Sequence, residues 1–194
     1  MVENTDLNYK IIKDIADECR MPFTYGGGIK NLDQVENLFS LGVEKICLNT
    51  SILHDYEIIK KLSKVYGSQS IIISIDIYTN SSGEKKLYNW SENKVLDKNI
   101  NDHILKSIES GAGEILINDV DKEGTLEGFD FDILKFINKN MNVPIIVNGG
   151  VNSYKQIKEI LKNDNVDAVG VGALFIYYGP FNAVLISYMP EDER

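Results

Sequence analysis

The stretch PFTYGGGIKNLDQVENLFSLGVEKICLNTSIL, residues 22–53, decides how the rest of the chain is read. A short apolar run ends in three glycines, an amphipathic segment follows, and a second apolar run closes the unit. Glycine tolerates positive φ and lets another backbone or an anion come close. N–H groups at the start of a following helix point at such an anion. Leu32, Val35, Leu38 and Phe39 recur at helical spacing, so the order is strand, glycine turn, helix, strand. One such turn is a weak signal, but the pattern returns at residues 144–175, PIIVNGGVNSYKQIKEILKNDNVDAVGVGALF. Pro22 aligns with Pro144, Gly27 with Gly149, Gly28 with Gly150, Gln34 with Gln156 and, after one inserted residue, Val43 with Val166. Tyr154, Ile157, Ile160 and Leu161 supply the second helical stripe. Glycines that recur in the same slot of an internal duplication are poorly explained as an accidental turn.

The same grammar continues between the copies. SIIISID (70–76) and GEILIN (113–118) are apolar runs of strand length, which predicts a parallel sheet covered on its outer face. Six strands are expected, at 22–25, 44–48, 70–76, 114–118, 143–147 and 167–171. Helices are expected near 7–20, 31–41, 55–66, 99–111, 130–140 and 153–163. The longest connection, residues 77–98, sets Tyr88 and Trp90 among polar residues and predicts a β-hairpin or an ordered lid. No domain boundary is visible, so residues 1–194 read as one domain. Near-equal βα units and an internal duplication favour a (β/α) barrel over a doubly wound sheet. Such a barrel takes eight strands and about 250 residues. This chain has 194 residues and opens on a helical segment. The expected fold is therefore an α/β TIM barrel with its first two βα units missing.

Composition narrows the function. A net charge of −9 argues against nucleic acid as a partner, since phosphate backbones call for clustered Lys and Arg. A few backbone N–H groups still suffice for a small anion. No apolar stretch reaches the length of a membrane span, and the start MVENTDLNYK has no apolar signal-peptide core. Cys19 and Cys47 form no disulfide framework, and with His54 and His103 they make no metal-ligand spacing. The expectation is a protein of the reducing cytoplasm, without metal or cofactor.

In barrels of this kind the chemistry sits at the carboxyl ends of the strands. Those ends carry Gly26–Gly28, Asn49 and Thr50, Asp76, Asn118, Asn148–Gly150 and Gly170–Ala173. Asn and Asp also suit turns and helix caps, which is an ordinary explanation for any one of them. Asp76 follows an apolar strand directly, where desolvation would raise its pKa toward the range useful for proton transfer. Gly27 and Gly28 on one side, and Gly149 and Gly150 on the other, suggest two anion cradles across one rim. Asn49 and Thr50 would complete the first, Gly172 and Ala173 the second, which suits a substrate with a phosphate at each end. The loop DVDKEGT (119–125) adds Asp121 and Glu123 before Gly124, and it also reads as a plain solvated acidic loop. Lys45 and Glu114 open their strands and read as a charge pair on the barrel floor.

PFTYGGGI, LNTS, IIISID, GAGEILINDVDKEGT, PIIVNGGV and VGVGALF, in this order, resemble the HisF family, the cyclase subunits of imidazole glycerol phosphate synthase. The resemblance implies a (β/α)8 barrel that holds a bisphosphorylated substrate. It implies a HisH-like glutaminase partner whose ammonia passes through the barrel core. By position, Asp76 matches a catalytic acid/base aspartate. Gly27, Gly28, Asn49 and Thr50 match one phosphate site. Glu123, in place of the family's aspartate, and Gly124, Gly149, Gly150, Gly172 and Ala173 match the other, with Asn118 on the substrate side. Lys45 and Glu114 match the charged ring at the ammonia entrance. The family's other catalytic aspartate lies in the two βα units that have no counterpart here. The strands at 22–25 and 167–171 are then expected to be open edges that invite self-association.

Residues 77–98 lack the Gly- and Thr-Gly-containing pattern of histidine-pathway members. The tail YYGPFNAVLISYMP resembles a HisF-like branch that works with a glutaminase and an N-sugar amidotransferase on acetamido sugars of surface polysaccharides. That branch is the expected function. The histidine-pathway cyclase, and a non-catalytic ammonia conduit or scaffold, are the alternatives.

Overall fold

The computed structural model describes residues 7–137, 141–179 and 181–190. Six parallel strands form one curled sheet: β1 (Thr24–Gly26), β2 (Lys45–Leu48), β3 (Ile71–Thr79), β6 (Glu114–Asp119), β7 (Ile145–Asn148) and β8 (Ala168–Gly170), in that spatial order. Helices alternate with them: α1 (Tyr9–Glu18), α2 (Leu32–Ser40), α3 (Glu57–Tyr66), α4 (Ile100–Glu109) and α5 (Tyr154–Ile160). This is the arrangement of six of the eight βα units of a TIM barrel, with β1 and β8 at the two ends of the strand path.

Alternation explains how the sheet is covered. Ile46 and Leu48 of β2, Ile73 and Ile75 of β3, and Ile115 and Ile117 of β6 are fully buried on the outer face. Against them pack Val35 and Leu38 of α2, Ile59 and Leu62 of α3, Ile104 of α4, and Ile157 and Ile160 of α5, all buried. The inner face instead carries Lys45, Cys47, Ser74, Asp76, Glu114, Leu116, Asn118 and Asn148. The apolar core thus lies between sheet and helices, and polar chemistry lies within the curl.

The duplicated glutamines have a local purpose. At α2, the Asn31 side chain accepts from Gln34 N (2.9 Å), while Gln34 Oε1 accepts from Lys30 N (2.7 Å). At α5, Ser153 Oγ accepts from Gln156 N (3.3 Å), while Gln156 Oε1 accepts from Asn152 N (3.2 Å). Each pair closes a reciprocal cap over N–H groups that the helix leaves unpaired.

One expectation changes and another is met. The helix expected near 130–140 is a 3-10 helix over Phe131–Phe136, and residues 138–140 lie outside the described residues. Its hydrogen bonds reach back three residues, as from Ile133 N to Asp130 O (3.1 Å), and Ile137 is already extended. The 77–98 connection resolves into a hairpin grown from β3 itself. Beyond Asp76, β3 pairs antiparallel with β4 (Lys85–Asn89), which pairs with β5 (Lys94–Leu96). Ile77 pairs with Asp119 of β6 and with Leu87 of β4, so β4 occupies the side of β3 that β2 leaves at Leu48. Asn80 Oδ1 shapes the turn by accepting from Ser82 N (3.0 Å) and Glu84 N (2.9 Å). Past β8, a short helix α6 (Ala173–Ile176) leads into a small hairpin, β9 (Tyr177–Tyr178) with β10 (Ala183–Val184).

Candidate active site

Strand register brings the rim polar groups together. Asp76, Asn118, Asn148 and Gly170 are successive partners across β3, β6, β7 and β8. Inward-facing residues at one level of adjacent parallel strands stand within hydrogen-bond reach. Asn49 Nδ2 donates to Asp76 Oδ2 (2.7 Å), and Asn118 Nδ2 donates to Asp76 Oδ1 (3.1 Å). Asn148 Nδ2 donates in turn to Asn118 Oδ1 (3.1 Å), and Ser74 Oγ lies 3.4 Å from Asp76 Oδ1. Gly170 leaves the space that Asn148 fills, since a Cβ there would sit 3.2 Å from the Asn148 side chain.

Asp76 is only 5% exposed. Burial raises its pKa above the ordinary carboxylate value, and the bonds from Asn118, Asn49 and Ser74 oppose that rise. The group is therefore a carboxylate held in one orientation, with proton affinity increased by its surroundings. Below it, burial pushes the Cys47 thiol up to about 12, helped by the nearby Asp76 charge, so Cys47 is an un-ionised wall residue. At the opposite end of the curl, Lys45 and Glu114 form an ion pair across β2 and β6, with β3 between them.

The two glycine turns repeat in backbone as well as in sequence. Gly27 and Gly28 have φ of +100° and +70°, and Gly149 and Gly150 have +118° and +74°. Their surroundings differ. A Cβ on Gly150 would meet Gly128 O at 2.6 Å and Lys122 Cβ at 2.8 Å, whereas one on Gly27 would meet nothing within 4 Å. Glu123, Gly124, Gly150, Gly172 and Ala173 line one pocket that Asn148 and Gly170 close from below. Gly149 flanks it, packed on Asp119. Gly27, Gly28 and Thr50 stand across the rim, where Thr50 begins a 3-10 turn over Thr50–Ile52.

Asn49 and Asn118, expected to face substrate, each direct one amide N–H to Asp76. Asn148, read as a strand-end polar residue, joins the site, as do Ser74 and Cys47, to which sequence reading assigned no role. Counting back in twos from Asn49 and Asp76 would have found Cys47 and Ser74.

A second polar cluster fixes the hairpin to the rim. Lys85 Nζ pairs with Asp130, donates to Thr79 Oγ1 (2.7 Å) and lies 4.0 Å from Asp119 Oδ2. Asp121 is exposed, as read, and also accepts from Thr79 N (2.6 Å). Asp119 is 1% exposed; burial raises its pKa, and the Lys85 charge pulls it back. At Asp130 burial also works upward, but the hydrogen bond from Lys85 prevails and its pKa is lowered.

Among the described residues no helix is long and apolar enough to cross a membrane. The family described as "Histidine biosynthesis protein" matches residues 1–182. The chain is 37% identical over 185 residues to a Pseudomonas aeruginosa protein whose name ascribes it, without certainty, to an imidazole glycerol phosphate synthase subunit, hisF2; the match covers 95% of this chain and 74% of that protein. A similarly named HisF protein of Leptospira borgpetersenii is 38% identical, over 93% of this chain and 72% of its own length. The imidazole glycerol phosphate synthase subunit HisF of Leptospira biflexa is 30% identical, over 93% and 71%. The chain spans about three-quarters of each relative. With its six parallel βα units and its repeated glycine turns, it belongs to the histidine biosynthesis protein family and, within it, to the HisF type.

Proposed function

We propose that this chain is the synthase subunit of an ammonia-using complex, in which Asp76 transfers protons to and from a phosphorylated substrate held across the rim. The observation that carries this reading is the buried Asp76 carboxylate, held by Asn49 and Asn118 at the strand ends between two positive-φ glycine turns. Its pKa, raised by burial, makes it a stronger proton acceptor than an exposed carboxylate. Gly27, Gly28 and Thr50 receive one phosphate. Gly124, Gly149, Gly150, Gly172 and Ala173 receive the other, with Glu123 at the pocket edge. Asn49 and Asn118 hold the acid/base group with one amide N–H each and keep the other for the substrate.

Ammonia comes from a HisH-like glutaminase docked at the floor. It passes the Lys45–Glu114 pair and then Cys47 and Ser74, which face the same interior below Asp76. The substrate is an acetamido sugar of a surface polysaccharide, handled together with an N-sugar amidotransferase. The 77–98 hairpin and the tail carry that preference over the histidine pathway. Growth separates the two: the chain, co-expressed with its glutaminase, is expected to leave a HisF-deficient histidine auxotroph dependent on histidine. Growth without histidine would overturn the sugar reading and favour the cyclase.

A further inference from the structure

The aromatic side chains of the 77–98 hairpin, singled out in the sequence, have no part in the proton transfer proposed for Asp76. Alternation along β3 puts Tyr78 on the same face as Asp76. Cross-strand pairing extends that face, with Lys86 opposite Tyr78 and Val95 opposite Tyr88. The rings run in sequence along it: Tyr78 and Tyr88 have centroids 5.6 Å apart, and Tyr88 and Trp90 5.1 Å apart at 86°. The other face holds the buried Leu87, Asn89 and Leu96. The hairpin is anchored over the rim at both flanks. Lys85 ties it to Asp130 and Asp119, and the Lys98 ammonium following β5 donates to Leu53 O near the end of β2.

Trp90 nevertheless stays 51% exposed. The turn that follows it is polar: Asn93 Oδ1 accepts from the Tyr88 hydroxyl, and Glu92 lies 4.0 Å from the His54 imidazole. An exposed indole on a braced scaffold, continuous with a buried carboxylate, has the make-up of a ligand wall.

We propose that Trp90, backed by Tyr88 and Tyr78, is a saccharide subsite on which the apolar face of a hexopyranose stacks. This rests on the reading of the rim as a phosphate-holding site. A saccharide fits better than a nucleobase because the perpendicular Tyr88 leaves no slot between parallel rings for a flat base.

Trp90 is the single tryptophan of the chain, so its fluorescence reports this subsite alone. Titrating the intact chain with glucose 1-phosphate and with N-acetylglucosamine 1-phosphate is expected to give a saturable emission change. Inorganic phosphate and AMP are expected to give none. Calorimetry on Trp90→Ala should show sugar-phosphate binding weakened about tenfold, with inorganic phosphate affinity unchanged. Trp90→Phe should retain most of the affinity. Emission unmoved by both sugar phosphates overturns the subsite, and if inorganic phosphate still shifts the Gly150 and Gly172 amide NMR signals, the rim reading stands. A sugar-dependent emission change without those amide shifts keeps the subsite and refutes the phosphate site. An equal response to AMP overturns the saccharide assignment in favour of a base.

Discussion

Replacing Asp76 by Asn keeps the shape of the side chain and removes its charge, so it separates chemistry from architecture. In the native site Asp76 accepts from Asn49 Nδ2 at 2.7 Å and from Asn118 Nδ2 at 3.1 Å. An amide at this position sets one NH2 group against another. Asn118 cannot turn without losing its bond from Asn148 at 3.1 Å, so Asn49 is the partner that must rotate. Losing a charged acceptor costs about 1.5–3 kcal/mol, and removing a desolvated charge offsets a similar amount, so the net change is expected within about 1 kcal/mol. For a chain of this size that moves Tm by no more than about 4 °C.

Turnover with ammonia in the complete assembly should instead fall by about 10²–10⁴-fold. The pH dependence has a definite sign. A raised folded-state pKa contributes stability below the unfolded value of 3.8 that is lost as pH rises through the folded value. The variant should therefore gain on the wild type as melts are repeated from acid to neutral pH. Unchanged turnover would remove Asp76 from the chemistry. A large loss of stability would make the Asn49–Asp76–Asn118 chain a structural strut.

Lys85→Met removes the cation between Asp130 and Asp119, where the Lys85 side chain is only 9% exposed, and should destabilise the fold by about 3 kcal/mol in urea melts. Adding Asp119→Asn should recover part of that loss, and no recovery would mean that packing rather than charge holds the hairpin down. His103 is 2% exposed, with Nδ1 2.6 Å from the Tyr56 hydroxyl. Burial, then Lys98 and Lys106, lowers its pKa from 6.5 to about 4. A depressed histidine favours the fold above 6.5 and loses that contribution as pH falls toward 4, so His103→Gln should flatten the acid limb of a stability profile. Equal slopes in the two proteins would refute the assignment.

The barrel units were legible because their signals are local: Ile-rich runs, helical stripes and glycine turns each lie within a few residues. Asp76 was legible for the same reason, standing at the end of SIIISID. That run hid its own inner face, because Ser74 among isoleucines gives little sign of alternation until register places it below Asp76. Lys85 was invisible as an anchor because its partners Asp119 and Asp130 are 34 and 45 residues away in sequence. The short 3-10 segment at Phe131–Phe136 was misread as a helix because periodicity does not report how far back each hydrogen bond reaches.

The two caps are not equivalent in what they hold. Gln156 Oε1 accepts a further bond, from Phe129 N at 3.0 Å, and Gly128 N donates to Gly150 O at 2.8 Å. These bonds tie the loop that bears Glu123 and Gly124 to the second glycine turn before any ligand arrives. Gln34 makes its local bond to Lys30 N, and the space beside Gly27 is open. The backbone around Gly150 is thus tied in place ahead of binding, so under the proposed function a phosphate there would order less of the chain than one at Gly27. Under the proposed function, the two ends of the rim therefore differ in how much backbone a two-ended substrate would have to order, the smaller share falling at Gly150.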